Sequence, residues 1–125
     1  MQLRNVNLLN GSFSFELADI TFSDRIEKIE PAGTNMLENS IDMEGKILIP
    51  GLVDMHTHGA IGLDGMDSTI DFHKWQKWLL SNGITTFLPA TVTATFDEIR
   101  TALANLKEAE GINLEGPFLS PGRKG

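Results

Sequence analysis

The sequence predicts an α/β chain in two parts: a small antiparallel β unit over residues 1–48, then a parallel strand–helix repeat from residue 49 onward. Three observations predict it. The first 48 residues break into short β-prone runs punctuated by Gly11, Asp19, Asp24 and Pro31-Ala32-Gly33. From residue 49, apolar runs of strand length alternate with amphipathic stretches of helix length. Each connection in that second part is long enough to hold a helix, which makes successive strands parallel.

Composition bounds the function. The chain has 125 residues, enough for an ordinary core, with 41% hydrophobic and 22% charged residues, so it reads as globular and not disordered. A net charge of −7 argues against nucleic acid as a partner. An anionic substrate would need a local positive patch, and the only basic pair near a motif is Arg123-Lys124. There is no cysteine, which excludes disulfides and thiolate metal sites and suits the reducing cytoplasm, the expected location. No run has the length and apolarity of a signal peptide or a membrane span, so no membrane partner is expected.

In the first part, residues 3–9, 12–16, 19–21 and 25–29 read as short strands. Residues 34–40 are polar and loop-like, and 41–49 run through a turn at Glu44-Gly45. The acidic residues of this part read as a solvated face.

Pro50-Gly51 breaks the chain, and Leu52-Val53 begin a buried strand that ends in His56-Thr57-His58-Gly59. Strand side chains alternate between faces, so His56 and His58 share a side and can bind one metal ion, while Gly59 lets the backbone turn away. Asp54 has the same parity. It can accept a ring N–H and fix a tautomer, or serve as a strand-end turn residue.

Residues 59–67 are glycine-rich but lack the Walker lysine, so they read as a mobile active-site loop and not as a phosphate cradle. Ser68 or Thr69 caps a helix over about 70–82, whose stripe of Phe72, Trp75, Trp78 and Leu79 packs inward. His73 lies off that stripe and reads as a surface residue, not a ligand. Asn82-Gly83 ends the helix. Residues 84–91 form a second strand that frays at Pro89. Thr95 and Asp97 start a second helix reaching about Glu110, with Ile99, Ala102, Leu103 and Leu106 inward, and Gly111 stops it. Residues 112–115 form a third strand ended by Gly116-Pro117. Parallel strands gather their carboxyl ends at one edge, where ligands bind. His56, His58 and Glu115 all fall there. Two nitrogens and one carboxylate suit Zn²⁺, Fe²⁺, Mn²⁺ or Co²⁺ better than Mg²⁺ or Ca²⁺.

Three segments together resemble a known family. Pro-Gly-Leu-Val-Asp-Met-His-Thr-His-Gly at 50–59 resembles the first-strand signature of the amidohydrolase superfamily. Gly-Ile-Thr-Thr-Phe-Leu-Pro-Ala-Thr-Val-Thr at 83–93 and Leu-Glu-Gly-Pro-Phe-Leu-Ser-Pro-Gly-Arg-Lys-Gly at 114–125 are similar to the N-acetylglucosamine-6-phosphate deacetylases within it. The resemblance implies a partial (β/α)8 TIM barrel holding the first three strands, preceded by a small β-sandwich. It implies that Glu115 binds the catalytic metal and that His56 and His58 bind a second one where members keep it, hence one or two divalent ions. Asp54 and Asn113 would lie just behind the ligands. It also implies hydrolysis of the acetamide of a small amino-sugar phosphate to acetate and glucosamine 6-phosphate, by a full-length homodimer.

Two departures from the family pattern matter. The family usually has histidine where this chain has Asn113, and an amide can hydrogen-bond the site but cannot switch charge near neutral pH. Residues 49–125 hold three strand segments, whereas a complete barrel needs roughly 250 residues. The remaining metal ligands and the catalytic aspartate are therefore expected downstream. No catalytic acid or base is assigned within this chain, and the 125-residue polypeptide is expected to be inactive by itself. The alternatives are a non-catalytic fragment that associates through its open sheet edges, and another amidohydrolase acting on cyclic amides.

Overall fold

The structure, a computed structural model, describes residues 1–120, 122 and 123, so Lys124 of the basic pair and Gly125 lie outside the described residues. The chain divides into two compact units between Pro50 and Gly51.

The first unit is one five-stranded sheet of β1 (Gln2–Leu9), β2 (Phe15–Phe22), β3 (Ile26–Pro31), β4 (Ser40–Asp42) and β5 (Ile47–Leu48). Strands β1, β2 and β3 pair antiparallel, but β4 and β5 both lie parallel to β1 on its far edge. The sheet is therefore mixed and not the antiparallel unit the sequence predicts. The reason is the connection over 32–39, which crosses from one edge of the sheet to the other, as parallel pairing requires. Two buried polar side chains hold that crossover. The Gln2 amide donates to the Asn35 carbonyl at 2.9 Å and accepts from the Leu37 N–H at 3.0 Å. The Asp19 carboxylate accepts from the N–H groups of Asn5 at 2.9 Å and Gly33 at 2.8 Å. Asp19 is thus not a break between two short strands. It sits 2% exposed inside the single strand β2 because its partners come from the backbone on either side. Val6, Ala18 and Ile20 form the core of this unit.

In the second unit, β6 (Leu52–Thr57) pairs parallel with β9 (Ile84–Pro89), and α1 (Phe72–Ser81) makes the crossover. Strand β6 is not buried as predicted. Leu52, Val53 and Met55 are 53%, 62% and 68% exposed, because among the described residues β6 pairs with β9 alone. The glycine-rich stretch is a small hairpin of β7 (Gly59–Ala60) and β8 (Leu63–Asp64), not an irregular loop. Ile61 and Gly62, at φ 49° and 79°, turn it as a two-residue loop in which both central residues have positive φ.

Helix α1 is capped by Asp71, whose side chain accepts from the Lys74 N–H, and not by Ser68 or Thr69. Those two residues are drawn into a turn instead, where Asp67 Oδ1 accepts from the Thr69 N–H. Phe72, Trp75 and Leu79 are buried and pack with Phe87 of β9, whereas Trp78 is displaced to the side and exposed. Helix α2 (Phe96–Asn105) begins with a complete capping box between Thr95 and Glu98. It ends five residues earlier than the predicted Glu110, because the chain turns inward at Leu106, which is fully buried in the same core. The predicted third strand is reduced to one parallel bridge, Ala90 to Asn113.

Replacing Asp19 with alanine leaves the part-buried N–H groups of Asn5 and Gly33 without their acceptor. Its unfolding free energy should fall by about 1–3 kcal/mol, read from the denaturant midpoint, while Glu16→Ala on the exposed surface leaves it unchanged.

Candidate metal centre

Two segments bring the site together. The end of β6 carries His56, and His58 follows one residue beyond the strand. Gly59 must be glycine here, since a Cβ would collide with the Leu63 carbonyl across the hairpin. The His58 carbonyl is held by the Gly65 N–H at 2.7 Å, so the hairpin fixes the backbone beneath the imidazole.

Glu115 arrives from the segment after α2. Asn113 N–H donates to the Pro89 carbonyl at 2.8 Å, and Thr91 N–H donates to the Asn113 carbonyl at 3.1 Å. Beyond that point a side chain takes over the ladder. Thr91 Oγ1 accepts from the Glu115 N–H at 2.9 Å and donates to the Glu115 carbonyl at 3.1 Å. This substitution explains why the third strand shrinks to a bridge. Thr91 is fully buried. Gly116, at φ 82°, turns the chain away; a Cβ there would lie 2.7 Å from Thr93 Cα.

The outcome is a triangle of electron-pair donors. His56 Nε2 and His58 Nε2 lie 3.1 Å apart, and Glu115 Oε2 lies 3.8 Å and 3.6 Å from them. The two rings meet edge to face, with centroids 4.8 Å apart. A point equidistant from these three atoms sits about 2.0 Å from each corner, which matches the roughly 2.0–2.2 Å bonds of zinc to imidazole and carboxylate. The donor set and its spacing therefore fit a small divalent cation. The side chains are partly open to solvent, at 49%, 43% and 29% exposure, which leaves room for a further ligand.

The other predicted residues are placed as follows. Asp54 Oδ1 accepts from the backbone N–H of His56 at 3.1 Å, a turn-type bond that steadies the strand end. Asn113 reaches further in: its Nδ2 lies 2.9 Å from His56 Nδ1 and 3.2 Å from the Met55 carbonyl. His73 stays outside the site and faces Glu108, 3.6 Å away on the surface. Arg123 is exposed near the described end of the chain. Thr91, predicted only as the last residue of a strand that frays at Pro89, has a role that the strand pattern does not reveal. The signal for it is a hydroxyl placed just after Pro89, which has no N–H to give the ladder.

Three candidate donor atoms thus meet where β6 ends and the segment after α2 passes it. The chain belongs to the amidohydrolase family, whose model matches residues 47–124. Among curated relatives, an N-acetylglucosamine-6-phosphate deacetylase of Lysinibacillus sphaericus is 33% identical over 98% of this chain and 35% of its own length. That of Bacillus subtilis is 41% identical over 63% of this chain and 24% of its own length. The crystal structure of the Thermotoga maritima N-acetylglucosamine-6-phosphate deacetylase matches 100% of this chain and 34% of its own, with a TM-score of 0.77 and 27% identity. The chain thus spans about a third or less of the length of the relatives it matches.

Thr91→Val removes the hydroxyl while keeping the side-chain volume. It should weaken divalent-cation affinity by about 10-fold, and Thr91→Ser should restore it, read by competition with a chromophoric chelator.

Proposed function

We propose that the protein is a metal-dependent hydrolase that removes the acetyl group of N-acetylglucosamine 6-phosphate, giving acetate and glucosamine 6-phosphate. The observation that carries this reading is the convergence of His56, His58 and Glu115 on one point. The substrate comes from the names of the relatives, which are deacetylases of that sugar phosphate. Those names do not favour a cyclic amide as substrate, nor a non-catalytic associating role.

His56 and His58 act as neutral nitrogen donors, and Glu115 adds the negative charge that offsets a dication. A divalent cation held there, of the zinc, iron, manganese or cobalt kind, supplies Lewis acidity toward an amide carbonyl and toward water. Asp54 keeps the backbone at His56 from shifting, and Thr91 does the same at Glu115. In this reading β6, β9 and residues 112–115 are the first three strands of a (β/α)8 barrel, and residues 1–48 are a separate β unit. Parallel pairing of β6 with β9 and the match to the Thermotoga structure support it. The activity is that of the whole protein, and the acid/base residue is not assigned to this chain.

The test is acetate release from N-acetylglucosamine 6-phosphate. In the full-length protein, His58→Ala and Glu115→Gln should each lower kcat/KM on the order of 100-fold or more with the circular dichroism spectrum unchanged. Unchanged turnover in either variant removes the site from the mechanism. The 125-residue polypeptide alone should bind the cation without turnover.

A further inference from the structure

We propose that Asn113 is a positioning residue that holds His56 in the tautomer whose proton sits on Nε2, so that a cation can bind there only by breaking the Asn113–His56 bond. This rests on the metal reading of the site above. The Met55 carbonyl fixes the orientation of the Asn113 amide. A carbonyl oxygen only accepts, so the Asn113 atom 3.2 Å from it must be the amide nitrogen; the flipped amide would set two oxygens against each other. The same nitrogen lies 2.9 Å from His56 Nδ1. Its second hydrogen points there, and His56 Nδ1 must accept it. A neutral imidazole with an accepting Nδ1 carries its proton on Nε2. His58 Nε2, 3.1 Å away, accepts that proton when its own ring carries its hydrogen on Nδ1. The Met55 carbonyl, Asn113, His56 and His58 thus form one consistent relay in which each donor meets an acceptor.

This relay stands against the usual arrangement behind a metal-bound histidine. There, the remote ring nitrogen donates to a carbonyl or carboxylate, which leaves the near nitrogen free for the metal. Here a donor faces the remote nitrogen. Loading a cation on His56 Nε2 moves the ring proton to Nδ1, with no change in net charge, and Asn113 must then turn its oxygen inward and lose Met55. The cost falls on affinity. An acceptor at position 113 would remove it.

Two measurements test this. In the chelator-treated wild-type chain labelled with ¹⁵N-histidine, the His56 ring should show Nδ1 as the unprotonated nitrogen, with the assignment made by loss of its signals in His56→Ala. A protonated Nδ1 overturns the proposal without reference to any variant's folding. In chelator competition with Zn²⁺, Asn113→Asp should bind about 10-fold tighter than wild type and should move the proton to Nδ1. If Asn113→Asp binds equally or more weakly while His56→Ala still abolishes uptake, the tautomer argument fails and the metal site stands. If wild type takes up no Zn²⁺, or His56→Ala takes it up equally, the metal reading itself fails.

Discussion

Two imidazole nitrogens 3.1 Å apart, with a carboxylate oxygen beside both, need a proton or a cation between them. Everything else in the second unit is arranged around that demand. The lone pairs of His56, His58 and Glu115 repel when bare, and an apolar core cannot relieve it. The chain therefore keeps the site at the mouth of its parallel pair, partly open to water, and spends its buried contacts elsewhere. Phe72, Trp75, Leu79, Phe87 and Leu106 form the buried core, which joins α1 and the turn after α2 to β9. The apolar core is the scaffold and the polar mouth is its product.

The first unit obeys a related rule with different means. Its hydrophobic core is small, with Val6, Ala18 and Ile20 at its centre. Much of its topology is specified by two buried polar side chains that take backbone partners from the crossover. Gln2 and Asp19 are costly to bury alone, and each is matched to groups that would otherwise be unpaired. Such groups select one crossover path over others of equal hydrophobicity.

Legibility in the sequence followed the range of the interaction. His-x-His parity, the aromatic stripe of α1 and the Thr95 cap are local, and the periodicity showed the two helices and both paired strands. The pairing of His56 and His58 with Glu115, 57 and 59 residues apart in the chain for the two histidines in reverse order, was readable because parallel topology forces strand ends to one edge. What was not readable came from partners distant in sequence. Asp19 looked like a strand break because its acceptor role depends on Asn5 and Gly33. The exposure of Val53 and Met55 depends on what lies beside β6, which no pattern within β6 reports. The hairpin over 59–64 is a local exception: its glycines read as a loop, and Ile61, at φ 49°, is an unusual residue for the turn it makes.

The Thr91 hydroxyl that completes the ladder beside Glu115 has a consequence for misfolding. Backbone pairing is indifferent to residue identity, so a strand joined only by peptide groups can slip and still find partners. Here two backbone bonds join Asn113 to Pro89 and Thr91, and the Thr91 hydroxyl extends the same register to Glu115. Were the segment after α2 to dock one residue out, Glu115 would lose both bonds at once and its neighbour would inherit a geometry that suits neither. Threonine at 91 therefore adds two bonds that exist only in the register that carries the Glu115 carboxylate toward the two histidines.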